Sequence, residues 1–125
     1  MIVSTGVDLV DLARIERTLD EQGDRFLRRV FTPAETAYCQ GLAQPVPSLG
    51  ARFAAKEAVM KCLGTGWAQG VGWTQIEVER DEAGAPSVTL SGRAAEVAAE
   101  RGIARIHLSL SHTDTAAIAM AVAES

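Results

Sequence analysis

The sequence predicts an α+β fold in which helices pack on a mostly antiparallel sheet. Residues 2–9, 106–111 and 116–122 show the alternation or β-branched content of strands. A further pair of short strands flanks a turn at 81–86, and the remaining apolar residues recur at helical spacing. No internal repeat and no long linker divides the 125 residues, so we expect one domain over 1–125.

The first half of the chain is predicted to contain one strand followed by helices. Ile2 to Leu9 forms the strand, and Asp8 stands near its end. The next helical region breaks at Gly23, and its apolar positions are Leu12, Ile15, Leu19, Phe26, Leu27 and Val30. Thr32 to Glu35 is a capping box with proline at the first helical position, which predicts a helix that ends near Gly41.

The middle of the chain is predicted to hold a loop, a long helix and a second connection. Gln44 to Gly50 includes two prolines, which predict a loop. The helix over Ala51 to Leu63 is expected to stop at Gly64, because glycine tolerates the left-handed conformation that ends helices. Residues 65–72 contain three glycines and predict a mobile connection.

The second half is predicted to contain a hairpin, a helix and two further strands. Trp73 to Arg80 and Ser87 to Ser91 are the strands of the hairpin, and Gly92 to Arg101 is an alanine-rich helix. Ile106 to Ser111 and Ala116 to Val122 are the last two strands. Because both faces of the final strand are apolar, we expect it at the centre of the sheet.

Composition and charge exclude several classes of function. A net charge of −4 and a pI near 5.1 lack the basic excess of a nucleic-acid-binding protein. The longest apolar run, Ala116 to Ala123, has eight residues and is too short to cross a bilayer. Cys39 and Cys62 are too few for a disulfide scaffold, and the first residues show no signal-peptide pattern. We therefore expect a cytoplasmic protein that binds neither nucleic acid nor membrane.

Four charged residues lie in the predicted helix 51–63 without a broad polar face to hold them. They are Arg52, Lys56, Glu57 and Lys61. Partly buried charges are costly without partners, so they indicate a metal, an anion or a functional site. The alternative is an ordinary surface ion pair between Glu57 and Lys61, whose i, i+4 spacing stabilises a helix by about 0.2–0.5 kcal/mol.

Asp8 is a second candidate site residue because it follows an apolar strand segment. A helix N-cap or an exposed strand terminus is the alternative. Two carboxylates from separate elements, with lysines adjacent, suit a hard divalent cation that shares its coordination with substrate phosphates. Asp8 and Glu57 therefore point to Mg²⁺. Lys56 or Lys61 would then bind phosphate or take a proton from an attacking hydroxyl.

The turn after the strand 106–111 concentrates groups that bind anions. Ser111, His112 and Thr113 combine hydroxyls and an imidazole with backbone amides, as in a phosphate cradle. The alternative is that His112 is only a turn residue. A serine hydrolase is not indicated, because no nucleophile-elbow pattern surrounds any serine.

Five parts of the sequence occur together, in the same order, in one known family. They are Gly6-Val7-Asp8-Leu9-Val10 with Arg14-Ile15, Phe31-Thr32-Pro33-Ala34-Glu35, the run from Ala51 to Lys61, Gly64-Thr65-Gly66, and Ser109-Leu110-Ser111-His112-Thr113. In these parts the chain resembles the bacterial holo-[acyl-carrier-protein] synthases, small members of the 4′-phosphopantetheinyl transferase superfamily. The resemblance runs from Ile2 to about Ala123.

This resemblance implies a transfer of 4′-phosphopantetheine from coenzyme A to a serine of apo acyl carrier protein, with release of adenosine 3′,5′-bisphosphate. It implies Mg²⁺, or Mn²⁺ in its place, on Asp8 and Glu57, and a Lys61 that contacts the phosphate or deprotonates the serine. The residues implied to hold the nucleotide are Arg52, Lys56, Lys61, Gly64, Ser111, His112 and Thr113. Family members form trimers with sites between subunits, so we expect a homotrimer.

An arginine cluster in the first helical region is the expected contact for the carrier protein, because acyl carrier proteins are acidic. Its members are Arg14, Arg17, Arg25 and Arg28. On composition alone, a solvated face balanced by nearby carboxylates explains them; the resemblance favours docking, with Arg14 foremost. The chain departs from many relatives in one stretch, since it has no Lys or Arg between Arg29 and Arg52.

Two other functions use the same residues. A non-catalytic oligomeric module could bind coenzyme A through the turn and the lysines, although the presence of Asp8, Glu57 and Lys61 together argues against it. A Mg²⁺-dependent phosphohydrolase of small nucleotides would need an activated water and no protein partner, which leaves the arginine cluster without a role.

Overall fold

The computed structural model of the chain describes residues 1–65 and 68–125. Its elements in order are β1 (Ile2–Asp11), α1 (Leu12–Gln22), α2 (Asp24–Val30), α3 (Pro33–Gln40), α4 (Pro45–Leu63), β2 (Ile76–Arg80), β3 (Pro86–Leu90), α5 (Gly92–Glu100), β4 (Arg105–His112) and β5 (Ala116–Glu124). This arrangement confirms the predicted α+β class. None of the described helices is long and apolar enough to cross a membrane.

The strands of the described residues pair antiparallel in two separate sheets. β5 lies in the centre of a three-stranded sheet between β1 and β4, as its two apolar faces predict. β2 and β3 form the predicted hairpin as a separate two-stranded sheet. The outer strands of the larger sheet are therefore β1 and β4, so the segments that hold Asp8 and His112 lie on opposite edges.

Helix α4 packs along the inner face of the three-stranded sheet, mainly on β1 and β5. The contact surfaces are made of small residues that are fully buried: Ala54, Ala55 and Ala58 on the helix, and Ala117, Ala119, Ala121 and Ala123 on β5. Small side chains let the two backbones come close together. Gly6 on β1 is the extreme case, because a Cβ at this position would overlap the backbone carbonyl of Ala58.

Helices α1, α2 and α3 form from the patterns predicted for them. Gly23 separates α1 from α2 with φ of 54°, a conformation that favours glycine. The capping box of α3 is present: the Thr32 hydroxyl accepts from the Glu35 N–H (3.2 Å), and Glu35 Oε1 accepts from the Thr32 N–H (2.9 Å). Helix α3 ends at Gln40, followed by Gly41, as expected.

Helix α4 begins at Pro45, so the loop predicted over 44–50 is wrong. Pro45 and Pro47 both lie in the first helical turn. Backbone N–H groups have no helical acceptor there, and the fixed φ of proline suits a helix, so the two prolines are tolerated. The other end agrees with the prediction, since Gly64 adopts φ of 75° after Leu63.

Strand β1 continues to Asp11, two residues past its predicted end. Asp8 therefore lies inside the strand, and it is Asp11 that caps α1 by accepting from the N–H of Ala13. Residues 73–75, predicted as strand, form a 3₁₀ turn before β2. The predicted connection over 65–72 includes Gly66 and Trp67, which lie outside the described residues.

The outer face of the three-stranded sheet carries an apolar patch, which we call the outer patch. Its members are Val7, Leu9, Ile118 and Met120, which are 40% to 68% exposed. Val7 pairs with Met120 and Leu9 with Ile118 across β1 and β5, so the four side chains are contiguous. Contiguous exposed apolar surface of this kind marks interaction sites.

Candidate active site

Asp8 and Lys61 meet where β1 crosses the second half of α4. The Lys61 ammonium donates to the Val7 carbonyl (2.7 Å) and lies 3.4 Å from an Asp8 carboxylate oxygen. The Asp8 side chain is 16% exposed, and that of Lys61 is 54% exposed. Among the described residues, Asp8 is the carboxylate that pairs with Lys61 within 4.0 Å, rather than Glu57 one turn earlier on the same helix.

Glu57 belongs to the same group and is half-buried. Burial raises the pKa of Glu57, and the neighbouring Asp8 carboxylate raises this pKa further. Lys61 and Arg14 act in the opposite direction and lower it. The structure thus brings Asp8 and Arg14, from the start of the chain, close to Glu57 and Lys61 on α4. We call Asp8, Glu57 and Lys61 the carboxylate site.

The position of Asp8 relative to Glu57 depends on the close contact of β1 with α4. Gly6 lies two residues before Asp8 on the same side of the strand, and Ala58 follows Glu57 on the helix. A Cβ on Gly6 would overlap the Ala58 carbonyl and press on the Lys61 Cβ. The backbones at this point therefore approach as closely as glycine allows, which sets the separation of the two carboxylates.

The ammonium of Lys56, which was predicted to hold a nucleotide, is fully buried inside the chain. It forms an ion pair with Glu35 (2.7 Å) and donates to the backbone carbonyls of Trp73 (3.1 Å) and Ile76. Those three bonds occupy its three donors. Glu35 also accepts from the Val78 N–H (2.8 Å), so the pair links α3, α4 and β2. Lys56 is a core residue that fixes α4 against the hairpin.

Arg52, which was predicted to contact the nucleotide, is also buried. Its Nη1 donates to the Ser48 hydroxyl (2.7 Å), and the guanidinium lies 4.5 Å from the centre of the Tyr38 ring. Its Nε has no hydrogen-bond partner among the described residues. The Nε–H of Arg52 therefore remains without an acceptor among the described residues, next to Tyr38 and Ser48.

Gly64 ends α4 three residues after Lys61. The Arg101 guanidinium donates to the Leu63 carbonyl (2.7 Å), and a side chain on Gly64 would overlap that guanidinium. Arg101 thus satisfies one of the free carbonyls at the C-terminus of α4. The third residue of the Gly64-Thr65-Gly66 motif lies outside the described residues.

His112 lines a cavity of about 290 Å³ at the opposite edge of the sheet, which we call the His112 cavity. Its other polar lining residues include Tyr38, Ser48 and Arg80. Thr113 stabilises the β4–β5 turn, since its hydroxyl accepts from the N–H groups of Thr115 and Ala116.

The carboxylate site and the His112 cavity do not meet within one chain. Asp8 lies on β1 and His112 on β4, with β5 between them. Ser111, predicted to help bind the nucleotide, points to the outer face, where it is in register with Ile118 and Leu9. Each chain therefore carries two separate candidate sites on opposite edges of one sheet.

The predicted docking arginines are all exposed. Arg14 and Arg17 lie on α1, and Arg25 and Arg28 lie on α2. Arg14 is close enough to Glu57 to lower its pKa, so the arginine surface borders the carboxylate site. A protein bound to these helices would approach the two carboxylates.

Sequence reasoning missed several residues that shape these sites. Glu35 appeared only as a helix cap, yet it neutralises Lys56. No local sequence pattern indicates Arg101, which contacts the end of α4, or Arg80, which lines the His112 cavity. Their roles depend on contacts between distant elements, which single-sequence periodicity does not report.

Comparison with known proteins identifies the family. A family model described as the 4′-phosphopantetheinyl transferase superfamily matches residues 4–121. The holo-[acyl-carrier-protein] synthase of Koribacter versatilis is 48% identical over 99% of both chains, and that of Trichlorobacter lovleyi is 46% identical over 100% of this chain and 99% of the relative.

Solved structures agree with these relatives. The holo-[acyl-carrier-protein] synthase of Neisseria meningitidis is 36% identical, with a TM-score of 0.92 over 100% of both chains. The Helicobacter pylori synthase, solved in complex with coenzyme A, is 30% identical, with a TM-score of 0.85 over 97% of this chain and 100% of the other. The chain therefore belongs to the 4′-phosphopantetheinyl transferase superfamily and, within it, to the holo-[acyl-carrier-protein] synthases.

Proposed function

We propose that this protein transfers 4′-phosphopantetheine from coenzyme A to a serine of apo acyl carrier protein and releases adenosine 3′,5′-bisphosphate. The observation that carries the proposal is the carboxylate site, where Glu57 lies close enough to Asp8 and Lys61 for both to shift its pKa, and where Lys61 pairs with Asp8. Its relatives are synthases of the same length, and solved relatives bind coenzyme A. The enzyme would act in the cytoplasm as one domain.

The carboxylate site fits a divalent cation. Burial and, next, the Asp8 carboxylate raise the pKa of Glu57, and a cation bound between the two carboxylates would favour the ionised form of Glu57. The described residues contain no group of three or more metal-ligating side chains. A site with two protein carboxylates suits Mg²⁺, or Mn²⁺, which accepts water and substrate phosphates as its other ligands. Bound there, the ion would neutralise charge on the pyrophosphate oxygens.

The reaction is a displacement at the β-phosphorus of coenzyme A. The serine Oγ forms a bond to this phosphorus, the bond to the bridging oxygen breaks, and adenosine 3′,5′-bisphosphate leaves with the electron pair. The serine proton passes to a base. No covalent enzyme intermediate is required, so the chain supplies charge and alignment.

Lys61 is suited to contact the transferred phosphate. Its ammonium has three donors, of which two are directed to the Val7 carbonyl and Asp8. The third donor is available to a phosphate oxygen, and the exposed side chain can reach one. These bonds favour phosphate binding over direct removal of the serine proton, because an ammonium that donates to Asp8 cannot also accept a proton.

The protein would work as a homotrimer with sites between subunits. In one chain the carboxylate site and the His112 cavity lie on opposite edges of the sheet, with β5 between them. In a closed ring, one edge of each chain meets the other edge of its neighbour. The outer patch supplies the exposed apolar surface that such an assembly would bury.

Subunit complementation tests this shared site. The variants Glu57→Gln and His112→Ala each damage one half-site, and we expect both homotrimers to be weak. Unfolding and refolding them together in equal amounts should restore about a quarter of wild-type sites, because each mixed trimer regains one intact interface. If the mixture never exceeds the average of the two variants, both halves of the site belong to one chain.

The carrier protein would dock on the arginine cluster, since this surface borders Glu57 and an acidic partner is attracted to it. Arg14→Glu should raise the KM for the carrier by about tenfold or more and leave the KM for coenzyme A within about twofold. Steady-state kinetics with each substrate varied would measure both constants. An unchanged KM for the carrier would refute the assignment.

The direct test of the function is the intact mass of an apo acyl carrier protein after incubation with this protein, coenzyme A and Mg²⁺. We expect a gain of one phosphopantetheine that EDTA abolishes. Binding of coenzyme A without any gain on several carriers would indicate a binding module. Nucleotide release without a carrier would indicate a phosphohydrolase.

A further inference from the structure

Two cations lie beside the carboxylates of the carboxylate site and oppose their charge. The Lys61 ammonium is 3.4 Å from a carboxylate oxygen of Asp8. Arg14 acts on Glu57 from α1: burial and Asp8 raise the pKa of Glu57, whereas Lys61 and Arg14 lower it. With all four groups ionised, the two negative and two positive charges cancel, so the protein alone gives this site no net negative charge.

A second contact holds Lys61 beside Asp8. The ammonium donates to the Val7 carbonyl (2.7 Å), which immediately precedes Asp8 on β1. Gly6 lets α4 come close enough for both contacts, because a Cβ at this position would overlap the Ala58 carbonyl and press on the Lys61 Cβ. A cation that binds the Asp8 carboxylate must therefore share it with an ammonium that the strand backbone keeps in place.

Carboxylates that are already paired with cations form a weak site for a divalent ion. Charge is the main attraction for a hard cation, and Lys61 and Arg14 oppose it. In the described residues, no third metal-ligating side chain joins Asp8 and Glu57 in one group. A pyrophosphate would change this balance, because it brings negative charge, supplies oxygen ligands and offers the ammonium another acceptor.

We propose that Lys61 makes cation binding at Asp8 and Glu57 depend on the pyrophosphate of coenzyme A. The ammonium pairs with Asp8 in the free protein and turns to a phosphate oxygen when coenzyme A binds, which leaves the Asp8 carboxylate to the cation. Its side chain is 54% exposed and has room for this exchange. The inference rests on the proposed function, which supplies the pyrophosphate.

The exchange predicts that the cation and coenzyme A bind cooperatively. Each ligand should raise the affinity for the other by the same factor, because the coupling free energy is reciprocal. The wild type should bind Mn²⁺ at least about tenfold more tightly when coenzyme A is present. Titration calorimetry without a carrier protein measures both affinities, after correction for the Mn²⁺ that coenzyme A binds in solution.

Variants of Lys61 test whether its charge produces the coupling. Lys61→Met should bind Mn²⁺ alone about tenfold more tightly than the wild type, because the positive charge beside Asp8 is removed. Coenzyme A should then raise the affinity of this variant for Mn²⁺ by less than about threefold. Lys61→Arg keeps the charge and should bind Mn²⁺ alone as weakly as the wild type.

Arg105→Met is the matched control, because it also removes one exposed cation from an ion pair. Arg105 lies 3.5 Å from Glu124, on the edge strand opposite the one that bears Asp8. Its affinity for Mn²⁺ should stay within about twofold of the wild type, since salt screens charges at long range. Equal affinities of Lys61→Met and wild type for Mn²⁺ alone would overturn the proposal.

These binding measurements separate the inference from the proposed function, because they require no transfer. If the wild type modified no carrier protein, coupling between Mn²⁺ and coenzyme A that Lys61→Met weakens would still support the role of Lys61. Independent binding of the two ligands by the wild type would refute that role, even if the protein proved to be an active transferase.

Discussion

Glu57→Gln should abolish Mg²⁺-dependent transfer, with a loss of at least about a thousandfold in kcat, while the folded protein becomes more stable. Glutamine keeps the shape of the side chain but removes one of the two charges that would hold the cation in the proposed function. It also removes an ionised group whose pKa is raised by burial and by Asp8. Activity and thermal unfolding in EDTA would measure the two effects.

The sign of the stability change follows from the direction of the pKa shift. Because the pKa of Glu57 is higher in the folded chain, ionisation of this group as the pH rises costs stability, and glutamine cannot ionise. We expect a small gain in Tm at pH 7 that disappears as the pH falls through the ordinary pKa range of a carboxyl group. Glu82→Gln, in the exposed hairpin turn, is the control. Normal activity of Glu57→Gln at ordinary Mg²⁺ would remove Glu57 from the site.

Lys56→Met should lower the free energy of unfolding by about 3–5 kcal/mol, because it leaves the Glu35 carboxylate buried without its partner. The Trp73 and Ile76 carbonyls lose a donor in the same change. Urea unfolding followed by circular dichroism would measure the loss. The double variant Lys56→Met/Glu35→Gln should recover much of the stability, since it removes the unpaired charge.

Lys61→Met is the matched control for Lys56→Met. Both lysines lie on α4 and both pair with a carboxylate, but the side chain of Lys61 is 54% exposed. Removing an exposed pair costs only about 0–1 kcal/mol. If the two variants unfolded at the same urea concentration, the buried pair of Lys56 and Glu35 would not stabilise the packing of α3, α4 and β2.

The difference between these two lysines shows what the sequence could and could not reveal. Helical spacing predicted α4 and placed four charges on it without a polar face. It could not say that Lys56 turns toward Glu35, because that partner lies 21 residues away on α3. Nor could it predict that α4 starts at Pro45, since prolines indicate a loop and a first helical turn equally well.

The candidate site likewise contains residues that the sequence indicated and one that it did not. Family motifs indicated Asp8, Glu57 and Lys61, and the fold brings all three together. Arg80 follows no motif, because its relation to His112 arises only when the hairpin packs beside β4. Local patterns thus indicate residues within one element, and packing between elements adds residues that no local pattern indicates.

The contact of Gly6 with the Ala58 carbonyl has a consequence for how sequences of this fold can diverge. Main-chain atoms, which every residue type shares, determine the spacing between the strand that bears one carboxylate and the helix that bears the other. Apolar residues away from the contact between α4 and the sheet can therefore be exchanged with little effect on the separation of the two carboxylates, provided that position 6 stays free of a side chain. Relatives only 30% to 36% identical that still superpose with TM-scores of 0.83 to 0.92 are consistent with such tolerance.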